Sequence, residues 1–548
     1  MATAVLLTLG ALACIYVYQR NSSAARDDVA FVPGPENDSF LTGNMYTLAA
    51  SPSDRIAMTW SKQYGGVVRL HGVLGVKQHV LLISDPAALR RLFSSSSSFD
   101  LSSRNLASFK SLFGPGIAAV EGADHQRQRR VIAQALTPIE VRGMLDPVQA
   151  VSKNLRSALR KTLLESNPNG PTQLDMLDWA RRVALDSLTM FAFGVPIHAI
   201  DAPEKIHDIL HTFDAMLEDC LGKSSTLKYF LRETAVAGIY PSLLGIALTD
   251  PTFFRSMIGA TKRLGEFSKW VRATRAEQDG SGNGNDILSL LAKSKAPTEK
   301  ANKGESKYKL ADDEIRAQIG MVLFAGHDTV STTLAMFLTD MGRFPEVQAK
   351  LREEILAKQA EVGGEDVPFT QEDYESMPYL NAVLKESMRL NPALGQTFRT
   401  NRSDDVLPLS EPIRGTDGKM RDQIAVSAGT VVVVDIASSN RRKDVWGDDA
   451  DDFRPERWLK EDAVLPLTKT PGVVYGSVLN FLAGNRTCPG WRIAVLQLQA
   501  FICDLILGFR ISQVPGVDII REFHGVTIPK VHGNPVRGGE VPLVMEAL

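Results

Sequence analysis

The sequence predicts a mainly α-helical fold with a small β region, preceded by an N-terminal transmembrane helix. Three observations carry this. Apolar residues recur at helical spacing over long stretches, above all Asp312–Arg343 and Ile493–Leu507. Runs rich in β-branched residues are few and short, at Val67–Leu70, His79–Ile83 and Thr430–Ile436. Ala2–Tyr18 is an uncharged run of 17 residues, at the lower limit for crossing a bilayer. With 44% hydrophobic residues among 548 there is material for a large core, and a formal net charge of −2 speaks against a nucleic-acid partner. Four unevenly spaced cysteines form no disulfide framework, which suits a reducing, cytosol-facing location. No linker or repeat divides the chain, so the expected organisation is an anchor over 1–20, a proline-containing hinge over 21–36 and one domain over 37–548.

Taken in order, the apolar N-terminal run has no basic residue before it, whereas Arg20 and Arg26 follow. That asymmetry favours a retained anchor with the body in the cytosol, and Ser22-Ser23-Ala24-Ala25 supplies the small residues that a cleaved signal peptide would need instead. Pro33-Gly34-Pro35 stiffens a turn between anchor and body. Val67–Leu70 and His79–Ile83 read as a small antiparallel sheet, Ser94–Ser98 as a polar loop, and Leu101–Ala118 as a loop at a cavity wall. Asn-x-Ser/Thr sequons at Asn21, Asn37, Asn401 and Asn485 are accidental in a cytosolic body.

Gly122–Arg130 opens a helix on which His125 and Arg129, four apart, share a face. Arg127 and Arg130 read as solvated charges, available to an acidic redox partner. Leu145–Phe267 is mainly helical and names no chemistry. Polar loops at Gln278–Asn285 and Lys293–Lys307 flank a short helix, Ile287–Ala292.

Asp312–Arg343 starts on acidic residues and is closed by Phe344-Pro345, and at 1.5 Å per residue it runs roughly 48 Å. In its middle lies Ala325-Gly326-His327-Asp328-Thr329. An acid and a hydroxyl inside an apolar helix are costly to bury unless hydrogen-bonded or functional, and Gly326 leaves room against the backbone for a ligand. Downstream, Glu386 and Arg389 lie three apart on a helix that ends at Leu390-Asn391-Pro392. Ala393–Phe398 enters a strand, Thr430–Ile436 forms another, and Phe453-Arg454-Pro455-Glu456-Arg457-Trp458 follows. Gly525–Pro529 reads as a turn at a cavity wall.

Between the last two of these stands Phe481-Leu-Ala-Gly484-Asn-Arg486-Thr-Cys488-Pro489-Gly490, leaving a Gly/Val-rich loop and entering the helix Ile493–Leu507. Pro489 suits a first helical turn, and a cysteine at a helix N-terminus is biased toward thiolate. Such a thiolate, on a rigid loop, can be the axial ligand of a heme iron. Gly484 would permit the tight turn and Gly490 a close approach to the macrocycle; Arg486 could pair with a heme propionate, and Phe481 would pack beside the sulfur. Cys14, Cys220 and Cys503 read as small buried hydrophobes.

The pattern F-x-x-G-x-R-x-C-x-G resembles the heme-binding signature of the cytochrome P450 family, and the resemblance extends in order over roughly residues 30 to 548. It implies the cytochrome P450 fold with heme b (iron protoporphyrin IX). It implies that His125, where the family often has tryptophan, and Arg129 bind a propionate, as does Arg399. Asp328 and Thr329 correspond to the family's oxygen-activating acid and alcohol, with Val330 standing where a further Thr or Ser is usual. Glu386, Arg389 and Arg457 correspond to a buried network behind the heme. The chain resembles fungal membrane-bound microsomal members, which implies a monooxygenase in the endoplasmic reticulum membrane, single-pass, its catalytic domain facing the cytosol. Electrons would come from a separate NADPH-dependent flavoprotein reductase and the substrate would be an apolar small molecule of secondary metabolism. A heme-thiolate isomerase or peroxygenase needing no reductase is the alternative, and a heme sensor or carrier would not need the Asp328–Thr329 pair.

Overall fold

A computed structural model describes residues 28–51, 55–72, 79–94, 96–168, 170–205, 251–277, 286–293, 309–459, 473–523, 525–534 and 538–548. The anchor Ala2–Tyr18, Cys14, Cys220, Asn21 and the loop Gln278–Asn285 lie outside the described residues, as does most of Lys293–Lys307.

The helices that place the site are α1 (Gly122–Gln134), α2 (Leu145–Ser166), α3 (Met176–Phe193), α4 (Asp312–Arg343), α5 (Pro345–Val362), α6 (Pro378–Leu390) and α7 (Trp491–Gly508). Their apolar faces meet in one large core containing Leu159, Val183, Ile319, Phe337, Leu384 and Phe501. α4 and α7 are long and apolar enough to cross a membrane, yet 72% of each apolar window is buried, so both are core helices of this body. α4 has the bounds that the spacing predicts; Glu314 Oε2 accepts from Ala311 N at its start, and Pro345 opens the next helix.

Strands β1 (Val67–His71), β2 (His79–Ile83) and β3 (Phe99–Leu101) precede β4 (Thr172–Asp175), β5 (Gln396–Asn401), β6 (Asp405–Arg414), β7 (Met420–Val426) and β8 (Val431–Asp435). β9 (Phe509–Gln513), β10 (Ile519–Phe523), β11 (Thr527–Val531) and β12 (Pro542–Ala547) close the chain. The expected antiparallel pair β1–β2 is the edge of a five-stranded mixed sheet of order β1-β2-β8-β5-β3, in which β8 runs parallel to β2. β6–β7 and β10–β11 are hairpins, and β4-β12-β9 is a third sheet. The Pro33-Gly34-Pro35 segment is docked on this scaffold: Arg69 N donates to Pro33 O at 2.9 Å, Val32 is fully buried, and a Cβ on Gly34 would fall on the Arg69 carbonyl.

Two expectations are corrected. Leu101–Ala118 is not a loop: Ser103–Phe113 is helical, with the Ser102 hydroxyl accepting from Asn105 N as its cap. Within the helical stretch after Leu145, Thr172–Asp175 is extended because it completes a sheet with β12, a partner nearly four hundred residues away in sequence. Asn401 is buried and its amide bonds the carbonyls of Val426 and Ser427, which removes that sequon as a glycan acceptor.

Candidate heme site

The cysteine loop leaves Val478, makes a short 3-10 turn at Leu479–Phe481, and enters α7 at Trp491. Leu482 and Gly484 both take positive φ, 58° and 66°. Only glycine serves at 484, because a Cβ there would also come within 2.5 Å of the Phe93 carbonyl oxygen. The turn folds back so that Cys488 N donates to Phe481 O at 2.8 Å, which fixes the direction of the Cys488 side chain. At Gly490 a Cβ would meet nothing among the described residues nearer than Ile493 Cγ2 at 3.8 Å, so internal packing does not require glycine there.

Although part of the Cys488 surface is accessible, the protein around it pushes the thiol up, against the Gly490 N–H and the positive Arg129. Burial thus opposes the expected bias toward thiolate at the helix terminus.

Three arginines and one histidine gather beside the loop. Arg399, on β5, is 2% exposed, and neither Nη1 nor Nη2 has a hydrogen-bond partner among the described residues. Burial and the neighbouring Arg486 push it down to about 10, so it stays charged at neutral pH. His125 is buried on α1, where burial, then Arg486 and Arg129, push it down to about 4; it is neutral and still donates one N–H. Arg129 is lowered by burial and feels both Cys488 and Arg486. Arg486 is held within the chain: Nε donates to Asp100 Oδ1 at 3.0 Å, Nη1 to Ile117 O at 3.2 Å and Nη2 to Val120 O at 2.8 Å. It thereby staples the cysteine loop to the segment before α1. Among the described residues one carboxylate, Asp100, faces these arginines, and an orphaned buried guanidinium is costly unless an anion joins it. The donor set therefore fits a dianionic macrocycle carried by a thiolate.

The acid–alcohol pair lies in α4. Thr329 Oγ1 donates to Ala325 O at 2.8 Å, a bond to its own helix, and Ala325 is exposed within this otherwise buried stretch. Asp328 is 5% exposed, and its Oδ2 has no partner. Gly326 departs from expectation. A Cβ there would meet Leu188 Cδ1 at 2.7 Å, so the room it leaves is taken by α3.

The network behind the loop is complete. Glu386, fully buried on α6, accepts from Arg389 Nε and Nη2, from Arg457 Nε and from Trp458 Nε1, each at 2.9 Å, and from Arg454 N at 2.8 Å. Arg389 spends its other donors on the carbonyls of Asn440, Ala450 and Asp452. Asn440 in turn donates to Asn480 Oδ1 at 3.0 Å, and Asn480 to Met388 O at 2.6 Å, so the network reaches the residue before Phe481. Trp458 and Asn480 were missed from the sequence. Trp458 stands beside Arg457, but nothing local says that its indole N–H turns inward. Arg127 is corrected as well: Glu314 and Asp124 engage it, at 2.6 and 2.9 Å, so it ties α1 to α4 and is no free docking charge.

Comparison with known proteins agrees with this geometry. The Cytochrome P450 family matches residues 33–534. Cytochrome P450 monooxygenase 91 of Postia placenta is 30% identical over 526 residues, 91% of each chain. Cytochrome P450 monooxygenase claU of Ampulloclitocybe clavipes is 30% identical over 528 residues, 95% of this chain and 93% of the relative. A thiol presented by a rigid loop, an orphaned cation beside it and full-length similarity to monooxygenases agree: the chain belongs to the cytochrome P450 family, oxidoreductases that use heme to incorporate oxygen.

Proposed function

We propose that the protein is a membrane-anchored monooxygenase that takes electrons from a separate NADPH-dependent flavoprotein reductase and hydroxylates or otherwise oxidises an apolar small molecule. Residues 1–20 would hold it in the endoplasmic reticulum membrane as a single span, 21–36 form the hinge and 37–548 the catalytic domain facing the cytosol. The observation that supports the reading is the cluster of Arg399, His125, Arg129 and Arg486 beside Cys488, with the Arg399 terminal nitrogens left for an anion.

When bound, the heme would supply dioxygen activation and insertion of one oxygen atom into the substrate, and Cys488 would hold its iron. The chain's own part is binding, orientation and proton supply. Arg399, His125 and Arg129 hold the propionates, while Arg486 keeps the loop against the segment before α1. The bond from Cys488 N to Phe481 O aims the sulfur, and Phe481 shields it. The Thr329 hydroxyl, turned from Ala325 O toward the cavity, delivers a proton that Asp328 replaces. Leu112, Phe113, Val322, Leu394 and Val526 are apolar and buried or partly buried, which supports a terpenoid, steroid, lipid or aromatic substrate. Secondary metabolism is the proposed setting, by analogy at the level of the family.

The test is the carbon monoxide difference spectrum of the reduced protein. A strongly red-shifted Soret band in the wild type, lost in Cys488→Ala, is expected; a band of histidine-ligated type, or one unchanged in the variant, removes the assignment. Turnover should then require NADPH and reductase, and turnover sustained by peroxide alone would favour the peroxygenase.

A further inference from the structure

We propose that His327 is a positioning residue for Asp328, fixing which carboxylate oxygen carries the proton; this rests on the assignment of Asp328 and Thr329 to proton delivery. His327 is 2% exposed, in the middle of α4. Its Nδ1 lies 3.1 Å from Asp328 Oδ1. That line is too bent for a hydrogen bond, so among the described residues both ring nitrogens, like Asp328 Oδ2, have no hydrogen-bond partner. The neighbouring hydroxyls are all satisfied: Thr329 donates to Ala325 O, Ser331 to Asp328 O and Thr333 to Thr329 O. The helix thus provides for its alcohols and leaves one imidazole and one carboxylate for each other.

A buried donor and acceptor at 3.1 Å lose more by staying unpaired than a small side-chain rotation costs to align them. Aligned, Nδ1–H donates to Oδ1, which selects the tautomer that leaves Nε2 unprotonated. Asp328 Oδ1 is then occupied, and the carboxylate is kept from bonding back onto its own helix. Oδ2, buried and without a partner among the described residues, remains as the oxygen that takes a relayed proton and returns it to Thr329 when the hydroxyl has given its own to the cavity. One proton enters and one leaves, while His327 keeps its own. The position is shut off by its own helical face, since Leu323 and Val330, four before and three after, are both buried.

The experiment uses the heme-loaded protein with an NADPH-dependent reductase and no added substrate, and reads the fraction of consumed dioxygen that appears as hydrogen peroxide, together with heme content and melting temperature. Asp328→Asn and His327→Leu should each raise that fraction by about threefold. His327→Gln, whose amide N–H can still donate to the carboxylate, should stay near the wild type, and His327→Leu should add nothing in the Asp328→Asn background. Should His327→Leu fail to hold heme, His327→Phe, with the ring but not its nitrogens, takes its place. A wild-type peroxide fraction in the leucine variant overturns the inference, and so does an effect that glutamine does not rescue or that adds to Asp328→Asn, since both mark a packing role. If Asp328→Asn itself changes nothing, the assignment of proton delivery falls, and this inference with it.

Discussion

Arg399 shows at the scale of one residue what the site lacks when the chain is alone. Both of its terminal nitrogens are buried without hydrogen-bond partners, between a carboxylate that Arg486 engages and the rest of the cationic cluster. An anion that joins it gains charge-assisted bonds worth about 1.5–3 kcal/mol in such surroundings. Arg399→Leu should therefore speed heme loss to a scavenging apoprotein by about tenfold or more. The heme-free chain should melt no lower than the wild type, because the substitution also removes a buried unpaired charge. A variant that kept heme as tightly as the wild type would take Arg399 out of the propionate site. The residues found from sequence were those with a local signature. Gly484 and Cys488 occupy fixed offsets within one turn, and His125 and Arg129 sit on one helical face. Arg127 was misjudged because its partner Glu314 belongs to another helix, and Asp100 was missed because its partner Arg486 comes from the far end of the chain.

At the scale of elements, the joint between α6 and the segment ahead of the cysteine loop is made by one carboxylate. Glu386 neutralises Arg389 and Arg457 and also takes the N–H groups of Trp458 and Arg454. Removing it leaves the buried Arg389 without a carboxylate and Arg457 with only the longer pair to Asp449 at 3.4 Å, a loss of about 3–5 kcal/mol. Glu386→Ala should then fail to incorporate heme, whereas Trp458→Phe gives up a single bond, about 1–3 kcal/mol, and should keep it at a lowered melting temperature. Full heme content in Glu386→Ala, read from the Soret band against protein, would contradict this. Elements were legible where their own period marked them: α4 and α7 follow from apolar spacing alone. Ser103–Phe113 carried a signal that was passed over, a serine cap before apolar residues at Leu106, Phe109 and Phe113. β4 carried none, since its reason is the register with β12.

For the whole molecule the order of motifs announced one body, but not how distant pieces are joined within it. The parallel pairing of β2 with β8 is set by packing across the chain. So is the junction at Asp340, where the end of α4 meets the end of α6. Asp340 Oδ2 accepts from Ser387 Oγ at 2.6 Å and from Asn391 Nδ2 at 2.9 Å, and Arg521 donates to Asn391 Oδ1 at 2.8 Å. Burial pushes its carboxyl from 3.8 up to about 7, held back by the Ser387 bond and by Arg343, Arg521 and Arg441. The folded state thus keeps a proton that the unfolded chain gives up. As pH rises from about 4 to about 7 the unfolded state is favoured progressively, and above about 7 the effect levels off, at a total of roughly 4 kcal/mol. Asp340→Asn keeps an acceptor for Ser387 and cannot ionise. Its stability relative to the wild type should therefore rise by up to that amount between pH 4 and 7 and stay flat beyond, as read from denaturant midpoints of the heme-loaded protein across that range. A difference that runs the other way, or none, would mean that the three arginines keep Asp340 ionised and that the junction is held by charge.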